Sequence, residues 1–472
     1  MTILFAASEV APLASTGGLG DVMASLPAYV SNLGHDVAVA LPGYPGLLDG
    51  AEPIDVEFSI PLGDVTHTAS VYERLSPNGT QWLIIRCDPF FSRQGLYGDA
   101  KAPYPDNAAR FVFFSKAVVE LARRLQPCPD VIHINDWHTA LVPLIIRDQN
   151  LPLKTLLTLH NVQHQGAFWA LDFPLTNLSP GWFNPGGLEF YGKINLLKGG
   201  ILTADALTTV SSSYKANILT SEGGFGLEKV LQSRKSDLFA VPNGVDPKLW
   251  NPASDTLPAP FTAADRTGKA VCKAALLKEL GLASTTSGPL YVMVGRLADQ
   301  KGFDLLLPLL PRLFATDSRL IIVGDGEPTL RRDLLAAARQ HPSKMAFYNE
   351  WDSDFSKRLL AGADVLLMPS HFEPSGLTPL YGLRYGAIPV AHATGGLQEH
   401  LADFDLTSGK GNALLYFRDS SAALWDSIQR AHHLFQDTIR WQQLVQNAMA
   451  SQFRWEEAAI RYDSIYRRLA AS

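Results

Sequence analysis

Two cations, one carboxylate and a glycine-rich turn stand out as residues whose types and spacing could do chemistry. Arg296 and Lys301 lie in the run Gly295-Arg-Leu-Ala-Asp-Gln-Lys-Gly302, between an apolar strand pattern at Leu290–Val294 and a helix expected to begin near Gly302. Two cations beside a helix N-terminus make a place for a diphosphate, each charge-assisted hydrogen bond contributing ~1.5–3 kcal/mol. A solvated loop is the alternative for the same residues. Glu373 sits in Ser370-His-Phe-Glu-Pro-Ser-Gly-Leu-Thr378, after the strand pattern Val365–Met368 and before a helix expected near Thr378. A carboxylate there is aimed at the crevice outside the carboxyl ends of strands, or it caps the helix. Gly17, Gly18 and Gly20, between the first strand and the first helix, let backbone N–H groups approach an anion closely. They also suit a plain tight turn, and the absence of a following Gly-Lys-Ser/Thr excludes a P-loop.

Other motifs say less. Gly324-x-Gly326 opens like a dinucleotide fingerprint, but the third glycine position holds Thr329, which argues against NAD. Asp352-Ser-Asp354 and Asp403-Phe-Asp405 could hold a divalent metal, or cap neighbouring backbone N–H groups. Trp351, near a strand end, could stack on a base or enter the core.

These residues need elements to position them. Apolar runs at Thr2–Ala7, Val37–Leu41, Trp82–Ile85, Val131–Ile134, Leu156–Leu159, Ala206–Val210 and Leu238–Val241 read as buried parallel strands. A helix follows Asp21 and closes at Gly34, and a long amphipathic helix spans Asn107–Leu125. Several of these strands end in polar residues, among them Asn135-Asp136-Trp137-His138 and His160-Asn161. After a Pro-, Ala- and Asp-rich stretch from Asn251 to Gly268, read as a linker or surface loop, a second series begins. Its strands are Leu290–Val294, Leu320–Val323, Met345–Tyr348, Val365–Met368 and Ile388–Ala391. An amphipathic helix over Trp455–Leu469, with Trp455, Ile460, Tyr462, Ile465, Tyr466 and Leu469 on its apolar face, ends the chain. Alternating strands and helices in two halves predict an α/β protein with two parallel sheets.

Composition narrows the function classes. The 472 residues are 46% hydrophobic and 18% charged, which predicts folded domains rather than disorder. A net charge of −6 offers no basic surplus for a nucleic-acid partner. Cys87, Cys128 and Cys272 are too few and too scattered for a disulfide framework or a zinc site, which fits a reducing cytoplasm. No stretch approaches the ~20 apolar residues of a membrane span, and the N-terminus lacks a signal-peptide pattern.

The motifs, taken together, resemble bacterial glycogen synthases and plant starch synthases. The resemblance rests on Ser8-Glu-Val-Ala-Pro-Leu, Thr16-Gly-Gly-Leu19, His133-Ile-Asn-Asp-Trp-His138, Thr158-Leu-His-Asn161 and Val241-Pro-Asn-Gly-Val-Asp246. It continues through Val294-Gly-Arg296, Gln300-Lys-Gly302, Phe372-Glu-Pro-Ser-Gly-Leu-Thr378 and Ala393-Thr-Gly-Gly-Leu397, collinear over essentially the whole chain. It implies the GT-B fold, two Rossmann-like domains facing across a cleft. The expected boundaries are 1–250, 251–452 and a C-terminal helix, 453–472, crossing back to the first domain. It implies retaining transfer of glucose from ADP-glucose, or another nucleotide-glucose, to the 4-hydroxyl at the non-reducing end of an α-1,4-glucan, with no metal, cofactor, nucleic acid or membrane. Domain closure is expected with it.

Carried over residue by residue, the resemblance gives Arg296 and Lys301 the diphosphate. Glu373, with the backbone of Ser375 and Gly376, takes the glucosyl hydroxyls. Leu377 and Thr378 cradle the distal phosphate, and Gly295 belongs to the same donor-binding group. Asp136, His160 and Asn243 line the sugar pocket, and Trp351, or else Tyr348, stacks on adenine. Ser15, Gly17 and Gly18 form the glycine-rich donor loop. Ser15 stands where the family usually has Lys, a departure that could cost ~1.5–3 kcal/mol of phosphate affinity or alter the donor. Tyr381 stands where a broader set of retaining transferases has a second glutamate, which favours the glucan-synthase branch. A relative using UDP-glucose or another acceptor, and a weakly active glucan-binding regulator, are the alternatives.

Overall fold

The computed structural model describes residues 1–99, 102–284, 287–349 and 352–471, and they fall into two compact units, 1–243 with 455–471 and 244–454. The divisions thus lie at 243/244 and 454/455. Among the described residues of the first unit, ten strands precede the last two of its main sheet. They are β1 (Thr2–Ala6), β2 (Asp36–Pro42), β3 (Glu52–Leu62), β4 (Val65–Leu75), β5 (Gln81–Arg86), β6 (Val131–Asn135), β7 (Lys154–Leu159), β8 (Ala167–Trp169), β9 (Glu189–Phe190) and β10 (Lys193–Asn195). β11 (Ala206–Thr209) and β12 (Leu238–Ala240) complete them.

Nine of these make one sheet in the order β12-β11-β7-β6-β1-β2-β5-β4-β3, parallel from β12 to β5 and antiparallel at β4 and β3. Strands β1, β6 and β7 are buried along nearly their full length, because helices cover both faces of a parallel sheet. The β3–β4 hairpin was not among the expected strands. Its burial alternates along the strand, Pro53 and Pro61 interrupt it, and both mark an edge element rather than a continuous apolar run. Strands β8, β10 and β9 form a small separate antiparallel sheet.

The second unit holds β13 (Leu290–Val294), β14 (Arg319–Val323), β15 (Met345–Tyr348), β16 (Val365–Met368), β17 (Ile388–His392) and β18 (Leu414–Tyr416). They form one parallel sheet in the order β15-β14-β13-β16-β17-β18, which turns back at β13, where strand order reverses. The stretch read as a linker is tied down: the Asp255 carboxylate is buried, accepts from Lys357 Nζ at 2.8 Å, and also bonds the Tyr385 hydroxyl. Gly268 already lies inside a helix, Thr267–Glu279.

The C-terminal helix, Trp455–Ala470, belongs to the first unit and packs on the helix Gly18–Ser31 and on β6 and β7. Its inner face is Trp455, Ala458, Ala459, Tyr462, Ile465, Tyr466 and Leu469; Ile460, placed on that face by spacing, is 56% exposed. Ala458 and Ala459 take the inner face where Ile460 was expected. Polar contacts pin it as well. Asp463 meets His35 Nε2 at 2.8 Å, and the Tyr466 hydroxyl lies 2.7 Å from His133 Nδ1. The other ring nitrogen of His133 is 2.6 Å from Thr158 Oγ1. Burial holds the His133 imidazole neutral by pushing its pKa far down. Tyr466→Phe leaves that buried nitrogen without its partner, so urea unfolding should show a loss of about 1–3 kcal/mol. A change indistinguishable from zero would mean the contact contributes nothing.

Candidate active site

In the first unit, the candidate side chains lie past the carboxyl ends of β1, β6, β7 and β12. Asp136 follows β6 directly and holds a left-handed backbone, φ 54°, a strained conformation for a non-glycine residue. Its Oδ1 accepts the backbone N–H of His160 at 2.7 Å, so it fixes the chain leaving β7. The carboxyl is buried, and loss of solvation raises its pKa to about 7 against the opposing pull of those backbone N–H groups. His160 donates from Nε2 to the Asn135 amide oxygen at 2.9 Å, since the Asn135 amide nitrogen is spent on the Ala6 and His133 carbonyls. Burial lowers the His160 pKa to about 3. It is therefore a neutral imidazole with Nδ1 as an acceptor: suited to a sugar hydroxyl, unsuited to neutralising phosphate. Asn243, the last residue of this unit's first segment, is buried.

The glycine-rich turn is organised by a residue to which the sequence motifs gave no role. Glu9, just past β1, accepts from the Thr16 backbone N–H at 2.7 Å, the Thr16 hydroxyl at 2.8 Å and the Tyr97 hydroxyl at 2.6 Å. Burial raises its pKa. Ser15 is exposed and donates to the Gly17 carbonyl at 3.1 Å. Gly20 is required here, because a Cβ on it would fall 2.2 Å from Ser15 Oγ, whereas one on Gly17 would meet nothing within 4 Å. Gly17 and Gly18 are exposed at the head of the helix Gly18–Ser31. A charged residue directly after a strand could have pointed to Glu9; Tyr97 lies in a loop with no motif around it.

In the second unit the candidate site is built around β13 and β16. Lys301 Nζ and Glu373 Oε2 are 2.6 Å apart, and the Ser370 hydroxyl donates to the same oxygen at 3.2 Å. Glu373 is buried, at 8% exposure, and Arg296 is exposed. The Lys301 stem runs along Gly295, whose added Cβ would touch it at 3.6 Å. Gly302 has φ 70° and lies so close to the Pro369 carbonyl that a Cβ would come within 2.0 Å of it. That close approach lets Lys301 reach Glu373. The Gly396 N–H holds the Glu373 carbonyl at 2.8 Å. Three residues on, the helix Leu377–Arg384 begins at Gly376, so Ser375, Gly376, Leu377 and Thr378 form its head, beside the Lys301–Glu373 pair. Pro379 occupies its first turn, where the missing N–H costs no hydrogen bond.

Tyr381 stacks on Trp250 with ring centroids 4.0 Å apart, so this position packs instead of carrying a carboxylate. Tyr348, at the end of β15, is 37% exposed; Trp351 lies outside the described residues. Asp352 caps the helix Ser353–Gly362 through the Phe355 N–H, Asp403 accepts from Arg430 and the Leu415 N–H, and Asp405 accepts from the Ser408 N–H. The two Asp-x-Asp strings thus supply backbone caps and an ion pair.

The raised pKa of Asp136 has a consequence for stability. Between about pH 4 and about pH 7 the folded protein holds a proton there that the unfolded chain has released, so stability falls as pH rises through that window. Asp136→Asn keeps the acceptor for His160 and removes the charge. The fall in urea midpoint across the window should shrink by the equivalent of a few kcal/mol, each tenfold change in proton affinity being worth ~1.4 kcal/mol. An unchanged slope would show that Asp136 titrates normally.

Comparison with known proteins accords with this architecture. Residues 2–233 match the family model for the starch synthase catalytic domain, and residues 281–447 that for glycosyl transferases group 1. Curated relatives include a glycogen synthase of Anaeromyxobacter sp. (strain Fw109-5), 40% identical over 100% of both chains. Another, from Opitutus terrae, is 41% identical over 99% of each. Among solved structures, the catalytic domain of starch synthase IV from Arabidopsis thaliana, bound to ADP and acarbose, matches with a TM-score of 0.93 and 29% identity. The match covers 100% of this chain and 99% of that one. The chain belongs to the glycogen and starch synthase family, and it is a hexosyltransferase of the GT-B fold.

Proposed function

We propose that the chain transfers glucose from ADP-glucose to the non-reducing 4-hydroxyl of an α-1,4-glucan, with retention at the anomeric carbon. The observation that carries this reading is the cation–carboxylate pair, Lys301 and buried Glu373, at 2.6 Å beside the head of a helix. Arg296 and Lys301 neutralise the diphosphate as the bond from the anomeric carbon to the phosphate oxygen breaks. Backbone N–H groups of Leu377 and Thr378 hold the distal phosphate at the positive end of their helix. Glu373, with the Ser375 and Gly376 backbone, binds glucosyl hydroxyls and supports the oxocarbenium-like state. Asp136, neutral His160 and Asn243 take further sugar hydroxyls, Asp136 chiefly by holding the His160 backbone. Tyr348 offers a face for adenine. The acceptor 4-hydroxyl attacks from the face the diphosphate leaves, and its proton passes to the departing diphosphate oxygen. The ADP and acarbose bound to the Arabidopsis relative support a nucleoside diphosphate and an oligosaccharide as ligands here.

The scattered free cysteines are in keeping with a cytoplasmic setting. Ser15 favours one second reading. Its hydroxyl serves the turn itself and brings no charge to phosphate, which leaves room for another nucleotide-glucose.

Purified protein should release ADP and lengthen glycogen when given ADP-glucose without added metal. Preference for UDP-glucose would establish the second reading, and no turnover with either would overturn both. Glu373→Gln should lower kcat by ~10²–10³-fold. Ser15→Lys should lower the donor KM by about tenfold or more; an unchanged KM would show that position 15 does not face phosphate.

A further inference from the structure

The loop that carries Glu373 and the turn that carries Lys301 are laced together by four contacts. Two are backbone-based: the His371 N–H donates to the Gln300 carbonyl at 3.0 Å, and Gln300 Nε2 donates to the Phe372 carbonyl at 3.1 Å. The third is the Lys301–Glu373 pair. The fourth has a different character. His371 presents Nε2 to Asp304 Oδ1 at 3.0 Å and Nδ1 to Asp419 Oδ2 at 2.7 Å.

Carboxylates accept hydrogen bonds, so a ring flanked by one on each nitrogen must donate from both, and only the imidazolium can do so. A neutral ring would put a lone pair against a carboxylate oxygen. Asp304 sits on the helix Phe303–Leu306, immediately after Lys301 and Gly302, and Asp419 precedes the helix Ser421–Gln436. His371 thus joins three segments, two of which hold the proposed diphosphate and glucosyl ligands. We propose that His371 is a positioning residue for glycosyl transfer. As a doubly paired cation it fixes the Glu373 loop against the Lys301 turn, and the fixing is lost when the ring gives up its proton. This inference rests on the assignment of Lys301 and Glu373 to the donor.

The groups around the ring agree in sign. Asp304, Asp419 and Asp299 face it from three elements, with a carboxylate oxygen of Asp299, one of Asp304 and a His371 ring nitrogen all within 4.8 Å of one another. The Tyr416 hydroxyl, at the end of β18, is neutral and feels both Asp304 and Asp419. Lys301, on the turn that His371 holds, is engaged by Glu373. Partial burial pulls the His371 pKa down, but the hydrogen bonds and charges of Asp419 and Asp304 outweigh it and raise the value above 6.5. The link is therefore complete in mild acid and fails as pH rises through that raised value.

The test compares the pH dependence of kcat in the full chain with that of His371→Arg, whose guanidinium stays charged and can reach both carboxylates, and of His371→Gln, which carries no charge. Wild type should lose turnover on the alkaline side, by about tenfold relative to His371→Arg, with little change in acceptor KM. His371→Gln should show the low value at all pH. Wild-type and His371→Arg profiles that superimpose would overturn the proposal. Imidazole NMR gives a second readout that does not need turnover. The resonance missing in His371→Arg should titrate above 6.5 in wild type and move down in Asp304→Asn, and a ring titrating at or below 6.5 would also overturn it. Glu373→Gln, run in parallel, separates the two levels: near-normal turnover there removes the underlying assignment, whatever His371 does.

Discussion

The second unit of this protein is arranged around one contact, the ion pair between Lys301 and Glu373. A carboxylate buried to this degree needs a cation or donors to stay charged, and a lysine beside it needs a reason to hold still. Each supplies the other's. Gly302 can approach the Pro369 carbonyl only because it lacks a side chain, and that approach brings the two loops within reach. The sheet reverses its order between β13 and β16, the two strands that precede Lys301 and Glu373. Ligands of open α/β sheets bind outside the carboxyl ends of strands at such a reversal.

The first unit solves a different problem with burial instead of charge pairing. Asp136 and Glu9 are carboxyls with raised pKa values whose hydrogen bonds go largely to backbone N–H groups and hydroxyls. Both are positioning devices, one for the end of β7 and one for the glycine-rich turn. His160 and His133 are held neutral in the same surroundings. The unit presents hydrogen-bonding groups to its strand ends with little formal charge, which suits sugar hydroxyls, while the second unit gathers the cations that suit phosphate.

Much of this was legible in the sequence, for physical reasons. Buried parallel strands are continuous apolar runs, so β1, β6, β7, β13, β14 and β16 were readable to within a residue or two. Arg296, Lys301 and Glu373 were singled out because each lies within a few residues of the end of such a run, and the structure pairs Lys301 with Glu373. The β3–β4 hairpin was not, because a half-exposed strand carries only alternate apolar residues, although its two-residue Gly63-Asp64 connection is a hairpin signal. The apparent linker was misleading: a Pro-rich stretch looks unstructured, while Asp255 and its partners Lys357 and Tyr385 are far apart in sequence. The pairing of His371 with Asp304 and Asp419 was hidden for the same reason. Sequence shows what a residue can do and which strand delivers it, but seldom which distant partner has engaged it.

Everything in the second unit turns on whether the ammonium held by Glu373 receives a diphosphate. Calorimetric titration of ADP into wild type and Lys301→Met measures this without requiring turnover. Loss of one charge-assisted contact should weaken ADP by ~10- to 150-fold in the variant, with the folded state intact by circular dichroism. Equal affinity in the two proteins would contradict the proposed role of Lys301.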